Sequence, residues 1–286
     1  MTPQAQSSQS TSSRMRMAAF APIGDEGRTE AVEARLVRAI STGALIEGER
    51  LPSEAELAQL LGVAVVTVRE ALDRLRSRGL IETRRGRSGG SYVRSSEGAV
   101  DEINARALMR TPRLALADLG VLYSVISSAC AEYACRRATA EELEIVQHVL
   151  IEARELPAGA WRRRVTDMQL ELAALSQSVR LTSEHVRVQT EFTPFLALQD
   201  ADIDQRHAAH DALLAQVEAI AAGDAVAAHG IVQASVRAAV SWLEAFRADL
   251  LAVGEGGDIA PVLARRGGGG IGVDRNTPAE RQGGVR

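Results

Sequence analysis

Residues 51–75, LPSEAELAQLLGVAVVTVREALDRL, constrain the fold of this chain more than any other stretch. Pro52 sets up an entry, Ser53 can cap a helix, and Glu56 three residues on can return the bond as a capping box. Leu57, Leu60 and Leu61 recur at helical spacing and give that first helix an apolar face. Gly62 ends it and permits a sharp turn. Val68, Leu72 and Leu75 then repeat at i, i+4 and i+7, so a second amphipathic helix follows, with Thr67, Arg69, Asp73, Arg74 and Arg76 on its other face. Two helices joined by a short glycine turn, the second one basic, make a helix-turn-helix candidate. Taken alone, the pair also fits an ordinary helical hairpin with a solvated charged face.

The next residues decide between these. Two short β-prone runs, LIETR at 80–84 and SYV at 91–93, flank an Arg/Gly-rich tip and predict a hairpin wing. Glycines let such a tip approach a groove closely, and arginines supply phosphate contacts. The ordered run Gly43…Gly48…LPSE…LA..LGV…TVREAL..L…GLIE.RRGR.GG.YV resembles the winged helix-turn-helix of GntR-family transcriptional regulators over about residues 29–94. The pair Gly89-Gly90 resembles the FadR-like branch of that family.

Charge agrees once it is read locally. The 286 residues carry a formal net charge of −4, and every one of the 33 basic residues is arginine. Residues 69–94 hold Arg69, Arg74, Arg76, Arg78, Arg84, Arg85, Arg87 and Arg94 against Glu70, Asp73 and Glu82, so the basic footprint is a patch. Cys130 and Cys135 lie five apart in a helical pattern, which is neither metal nor redox spacing. The longest apolar run, at 119–131, is short and serine-rich for a membrane span, and the expected location is cytoplasmic with no membrane partner.

The chain length suits two domains, and an aromatic content of 3% leaves Ala, Leu and Val to fill the core, as in helical bundles. The expected fold is mainly α: an N-terminal winged helix-turn-helix domain with a small β-hairpin wing at 28–95, then an all-α helical bundle at 96–253. Residues 1–27 and 254–286 are expected to be disordered tails. A first helix over 29–42 stops at Gly43, and residues 95–98 form a linker. Helices are predicted over 100–110, 114–137, 139–155, 160–178, 182–198, 203–222 and 224–251, with Pro194 kinking or splitting its own. Thr139 and Glu142 form a second capping box.

The helical half resembles the FCD effector domain of FadR-like regulators, through Ala134-Cys-Arg-Arg-Ala-Thr139 and through the turn at Gly223-Asp224. That resemblance implies a small-molecule effector, an organic acid or acyl thioester, bound in the bundle. Many such domains hold a metal with an Asp, a His four residues later and two further His. Asp167 fits the first, Glu171 stands at the second, His210 lies near the third and Ser235 falls on the last. One histidine with two carboxylates is a poor zinc set, so no cofactor is assigned; were a divalent metal bound, Asp167, Glu171 and His210 would be its ligands. The family often places an Arg and a Glu in its long early helix, where Tyr123 and Ser127 stand. The expected effector pocket is therefore Tyr123, Asp167, Glu171, His210 and Ser235, with polar lining of an organic-ligand cavity as the alternative to a metal site.

For DNA, Thr67, Arg69 and Arg74 are expected on the recognition helix and Arg84, Arg85, Arg87, Gly89 and Gly90 on the wing. Ala64 and Val65 occupy positions where the family commonly has Ser or Thr and then Arg, and Ala55 one where some members carry Arg. The expected partners are double-stranded DNA with a two-fold operator, a second copy of the chain and the effector. A repressor is the leading reading. An enzyme finds no support: the chain has no repeated Glu-x-x-His set, phosphate loop or serine elbow. The alternatives are a protein-interaction adaptor and a regulator whose DNA binding is weakened or lost.

Overall fold

The computed structural model describes residues 28–42, 44–86, 89–94, 97–254 and 256–265. The expectations about Gly43, Arg87, Ser95, Ser96 and residues 1–27 and 266–286 lie outside the described residues.

The N-terminal unit packs α1 (Arg28–Ser41), α2 (Glu54–Leu61) and α3 (Val65–Ser77) against a hairpin of β1 (Ile81–Arg84) and β2 (Gly90–Val93). Ser53 and Glu56 form the capping box in full, and Gly62 closes α2 in the left-handed region at φ 68°. Ala64 caps α3 without a side-chain hydrogen bond. Val32, Leu36, Leu57, Leu61, Val68, Leu72 and Leu75 fill one core, each fully or almost fully buried. In the hairpin Ile81 faces Val93 and Glu82 faces Tyr92. Residues 48–51 run along the far side of β2, where Val93 N–H donates to Glu49 O (2.8 Å) and Leu51 N–H to Ser91 O (2.9 Å). The wing is thereby stitched to the body on its second edge, a contact the sequence pattern did not suggest.

The C-terminal unit is all α: α4 (Glu97–Arg110), α5 (Arg113–Arg137), α6 (Ala140–Ala153), α7 (Ala158–Leu175), α8 (Val179–Asp200), α9 (Ile203–Ala221) and α10 (Ala225–Val253). Thr139 and Glu142 make the second capping box. Three expectations need correction. The linker is shorter than residues 95–98, because Glu97 and Gly98 already belong to α4. Pro194 does not split α8; Phe192, Leu196 and Leu198 are buried on both sides of it and keep the helix in place. The tail after Gly254 is not structureless throughout, since α11 (Ala260–Arg265) forms and Ile259 and Val262 join the bundle core.

Helix α5 is central, packing on α7, α8, α9 and most extensively on α10. Gly120 permits the α10 contact, because a Cβ there would sit 2.5 Å from Val240 Cγ2. By length and composition this helix could cross a membrane, contrary to the expectation that no run reaches that length. In the fold it is the core helix of the bundle. Its apolar surplus lies on one uncovered stripe, with Leu114 81%, Val121 62% and Val125 57% exposed.

The two units are in direct contact. Leu170 of α7 is buried in the N-terminal core, α1 packs on α8, and Ser41 Oγ donates to Asn104 Oδ1 of α4 at 3.2 Å.

Candidate nucleic-acid interface and ligand cavity

Helix α3 presents two polar faces, and the structure gives them different tasks. Val66, Arg69 and Asp73 recur at i, i+3 and i+7 and look outward. Val66 is 58% exposed, and the Arg69 side chain is 61% exposed, with its guanidinium paired through Nε and Nη2 to Glu54 of α2 at 2.9 Å. Arg74 lies roughly 140° round the helix from Arg69, at 100° per residue. It bonds Glu30 (2.9 Å) and Glu33 (3.4 Å) of α1, and Arg78 reaches Glu33 at 2.8 Å. Arg74 therefore ties the recognition helix to α1 while its own side chain stays 47% exposed. Thr67 shares the Arg74 side and is half-buried. Sequence reasoning missed the exposed Val65 and Val66 at the tip, the apolar surface that suits a thymine methyl group.

On the wing, Arg84 bonds Glu82 and stacks over the Tyr92 ring at 4.3 Å, while Arg85 is exposed at the tip. Arg87 lies outside the described residues. Gly89 and Gly90 have a local reason to be glycine. A Cβ on Gly89 would lie 2.8 Å from Gly86 O, and Gly90 adopts φ 153° with a Cβ position 2.9 Å from Arg50 Nε.

In the bundle, a cavity of about 320 Å³ opens among α5, α7, α8, α9 and α10. Tyr123 and Ser235 stand on its wall beside Trp161, Arg162, Val165, Gln169, Phe192 and Gln216. A recess of about 60 Å³, reached past Tyr123, Gln169, Gln216 and Ser235, continues to Ser127 and His185. Asp167, Glu171 and His210 line neither space. The cause is helical phase. Trp161, Val165, Met168 and Leu172 set the inward face of α7, so Val165 and Gln169, four apart, point into the cavity. Asp167 and Glu171 are each two residues out of step, about 200° away. His210 is fully buried behind the wall; Trp161 Nε1 donates to its Nδ1 at 3.1 Å, and its Nε2 finds no partner among the described residues.

This does not fit the metal set. Among the described residues, no three His, Cys, Asp or Glu side chains come together. The wall offers amides, hydroxyls and an ion pair. Gln189 Nε2 donates to Gln169 Oε1 at 2.9 Å and Gln199 Nε2 to Gln205 Oε1 at 3.1 Å. Arg162 is gripped by the Asp200 carboxylate along one guanidinium edge, through Nε and Nη2, and the two side chains are 6% and 1% exposed. Burial holds the Tyr123 phenol up at about 12 and His185 down at about 4, so both are neutral near pH 7.

Asp167 instead sits near Leu170, which enters the N-terminal core, and burial raises its carboxyl to about 6. A raised acid favours folding while protonated, so its contribution is present below the ordinary aspartate range and is lost as pH rises through about 6. Asp167→Asn is expected to stabilise the protein by about 1–3 kcal/mol near pH 7.5 and by almost nothing near pH 4. Urea unfolding of both forms at the two pH values measures this, and an equal difference at both would refute it.

Residues 28–92 match the model for bacterial regulatory proteins of the gntR family, and residues 118–238 match the FCD domain. The HTH-type transcriptional regulator RmpR of Mycobacterium gastri is 37% identical over 193 residues, 64% of this chain and 69% of that protein. The Uxu operon transcriptional regulator of Escherichia coli is 37% identical over 130 residues, covering 44% of this chain and 49% of its own length. Among solved structures, E. coli McbR/YncC aligns with a TM-score of 0.47 at 18% identity, over 77% of this chain and 99% of that one.

Proposed function

The chain belongs to the GntR family of bacterial regulatory proteins, as a DNA-binding transcriptional regulator with an FCD effector-binding domain, and we propose that it is a cytoplasmic, FadR-like repressor working as a two-fold dimer. The observation that carries the reading of DNA is the outward face of α3, with Arg69 and Val66 exposed, together with the exposed Arg85 on the wing. Arg69 reads a base edge in the major groove, and Arg85 meets phosphate or the minor groove. One such domain covers a half-site, and two on one dimer cover a two-fold operator.

The effector occupies the cavity among α5, α7, α8, α9 and α10. Helix α8 supports a route from that ligand to DNA: Phe192, Leu196 and Gln199 face the cavity, whereas Val186, Thr190 and Glu191 face α1. Arg162 borders both the cavity and the crevice beside Ile40, Ser41 and Thr42. A ligand that shifts α8 therefore shifts the placement of the DNA-binding domain.

A footprint over the chain's own upstream DNA, repeated across salt concentrations, tests the function; protection absent at every salt concentration would leave the adaptor reading. Within that footprint, Arg69→Ala is expected to weaken the operator roughly 5–100-fold and to relax base choice at one position per half-site. Arg85→Ala lowers affinity for all sequences alike and flattens the salt slope. A gel-shift panel of operator variants separates the two, and identical losses from both changes would refute the division.

A further inference from the structure

The cavity wall carries information about what it can hold. Arg162 is its one charged side chain among the described residues, and that charge is already spent on Asp200. Arg206 lies near the same aspartate but outside the wall, donating to the Asp200 main-chain carbonyl at 2.7 Å. The remaining polar groups that face the space, including Gln169, Gln216 and Ser235, are neutral donors and acceptors on an otherwise apolar surface. On the reading that this cavity is the effector site, we infer that it selects a ligand uncharged where it is enclosed: an apolar body bearing carbonyl, amide, ester or hydroxyl groups.

Charge balance sets this selection. A carboxylate entering the space leaves its hydration shell and meets no unpaired cation on the wall, a cost of several kcal/mol. Asp200 already balances Arg162 from one edge, so a carboxylate on the other edge meets a charge that is spent, and one that displaces Asp200 leaves that aspartate as the uncompensated buried anion. A neutral carbonyl or hydroxyl loses much less on entry and recovers it from the glutamine amides.

Fluorescence titration of the full chain tests this with a matched pair of probes, N-phenylnaphthylamine and its sulfonate, anilinonaphthalenesulfonate. The uncharged probe is expected to saturate a site at least roughly tenfold more tightly than the sulfonate. Ala212→Trp, which fills the cavity from α9, removes that saturable component. Asp200→Asn leaves the Arg162 charge unbalanced and brings the sulfonate to equal or tighter binding. Should that variant not fold, Gln216→Arg adds a free cation to the wall and serves the same end.

Sulfonate binding in the unchanged protein as tight as the neutral probe, and sensitive to Ala212→Trp, would overturn the charge selection while leaving the cavity as the effector site. Absent binding of the neutral probe, or binding indifferent to Ala212→Trp, would instead overturn the reading of the cavity on which the inference rests. Folded cation-bearing variants that gain no affinity for the sulfonate would overturn the role given to the Arg162–Asp200 pair.

Discussion

Glutamate in place of both Val121 and Val125 leaves the protein folded but monomeric and weakens its hold on a two-fold operator at least ~100-fold. Both side chains are exposed on α5, so the substitutions touch no core contact, and the bundle has no reason to unfold. What they alter is the stripe Leu114, Val121, Leu122 and Val125, broken by the single acid Asp118. That stripe lies on a helix whose most apolar stretch is only 39% buried. In the proposed dimer a second copy of the same helix covers this apolar face by two-fold symmetry, each stripe on its counterpart. Two glutamates per copy place four like charges in that contact and remove it. Each half-site is then bound independently, and the gain from linking two DNA-binding domains is lost. Light scattering gives the mass and a gel shift the affinity; a dimer that survives the change would put the contact on another face.

The fold was legible wherever local chemistry and periodicity spoke together. Ser53 with Glu56, Gly62, and the two β-prone runs around a glycine tip each carry their structure within a few residues. The strand-like segment at 48–51 gave no such signal, because its pairing with β2 is set by the chain's return from α1 and not by alternation. The cavity wall was legible in part. Tyr123 and Ser235 stand on the cavity wall, but Asp167 and Glu171 were chosen by residue type, against the period of their own helix. The run Trp161, Val165, Met168, Leu172 already marked Gln169 as the inward polar residue. Arg74 shows another limit. Its charge was visible, but its partners Glu30 and Glu33, which tie it to α1, lie some forty residues earlier in sequence. Arg162 and Asp200 drew no notice for the same reason: nothing local says that they meet.

That pair sets the other large effect. Asp200→Ala is expected to cost about 3–5 kcal/mol, since it strands the Arg162 guanidinium in the bundle beside Trp161 without its counter-charge. For a chain of this size each kcal/mol lowers the melting temperature by roughly 2–4 °C, so a fall on the order of 10 °C follows in thermal unfolding by circular dichroism. Replacing both partners removes the burden along with the attraction. Arg162→Met with Asp200→Leu should therefore recover most of the loss, because two apolar side chains of similar volume can pack where the ions stood. A double variant as unstable as the single one would show that the site needs the ions themselves. The recovered double variant then separates stability from signalling. Arg162 is the side chain shared by the cavity and the crevice to α1, so a folded protein lacking it keeps its operator affinity, while a bound cavity probe no longer changes that affinity. Persisting modulation by the probe would move the route from this pair to the packing of α8 alone.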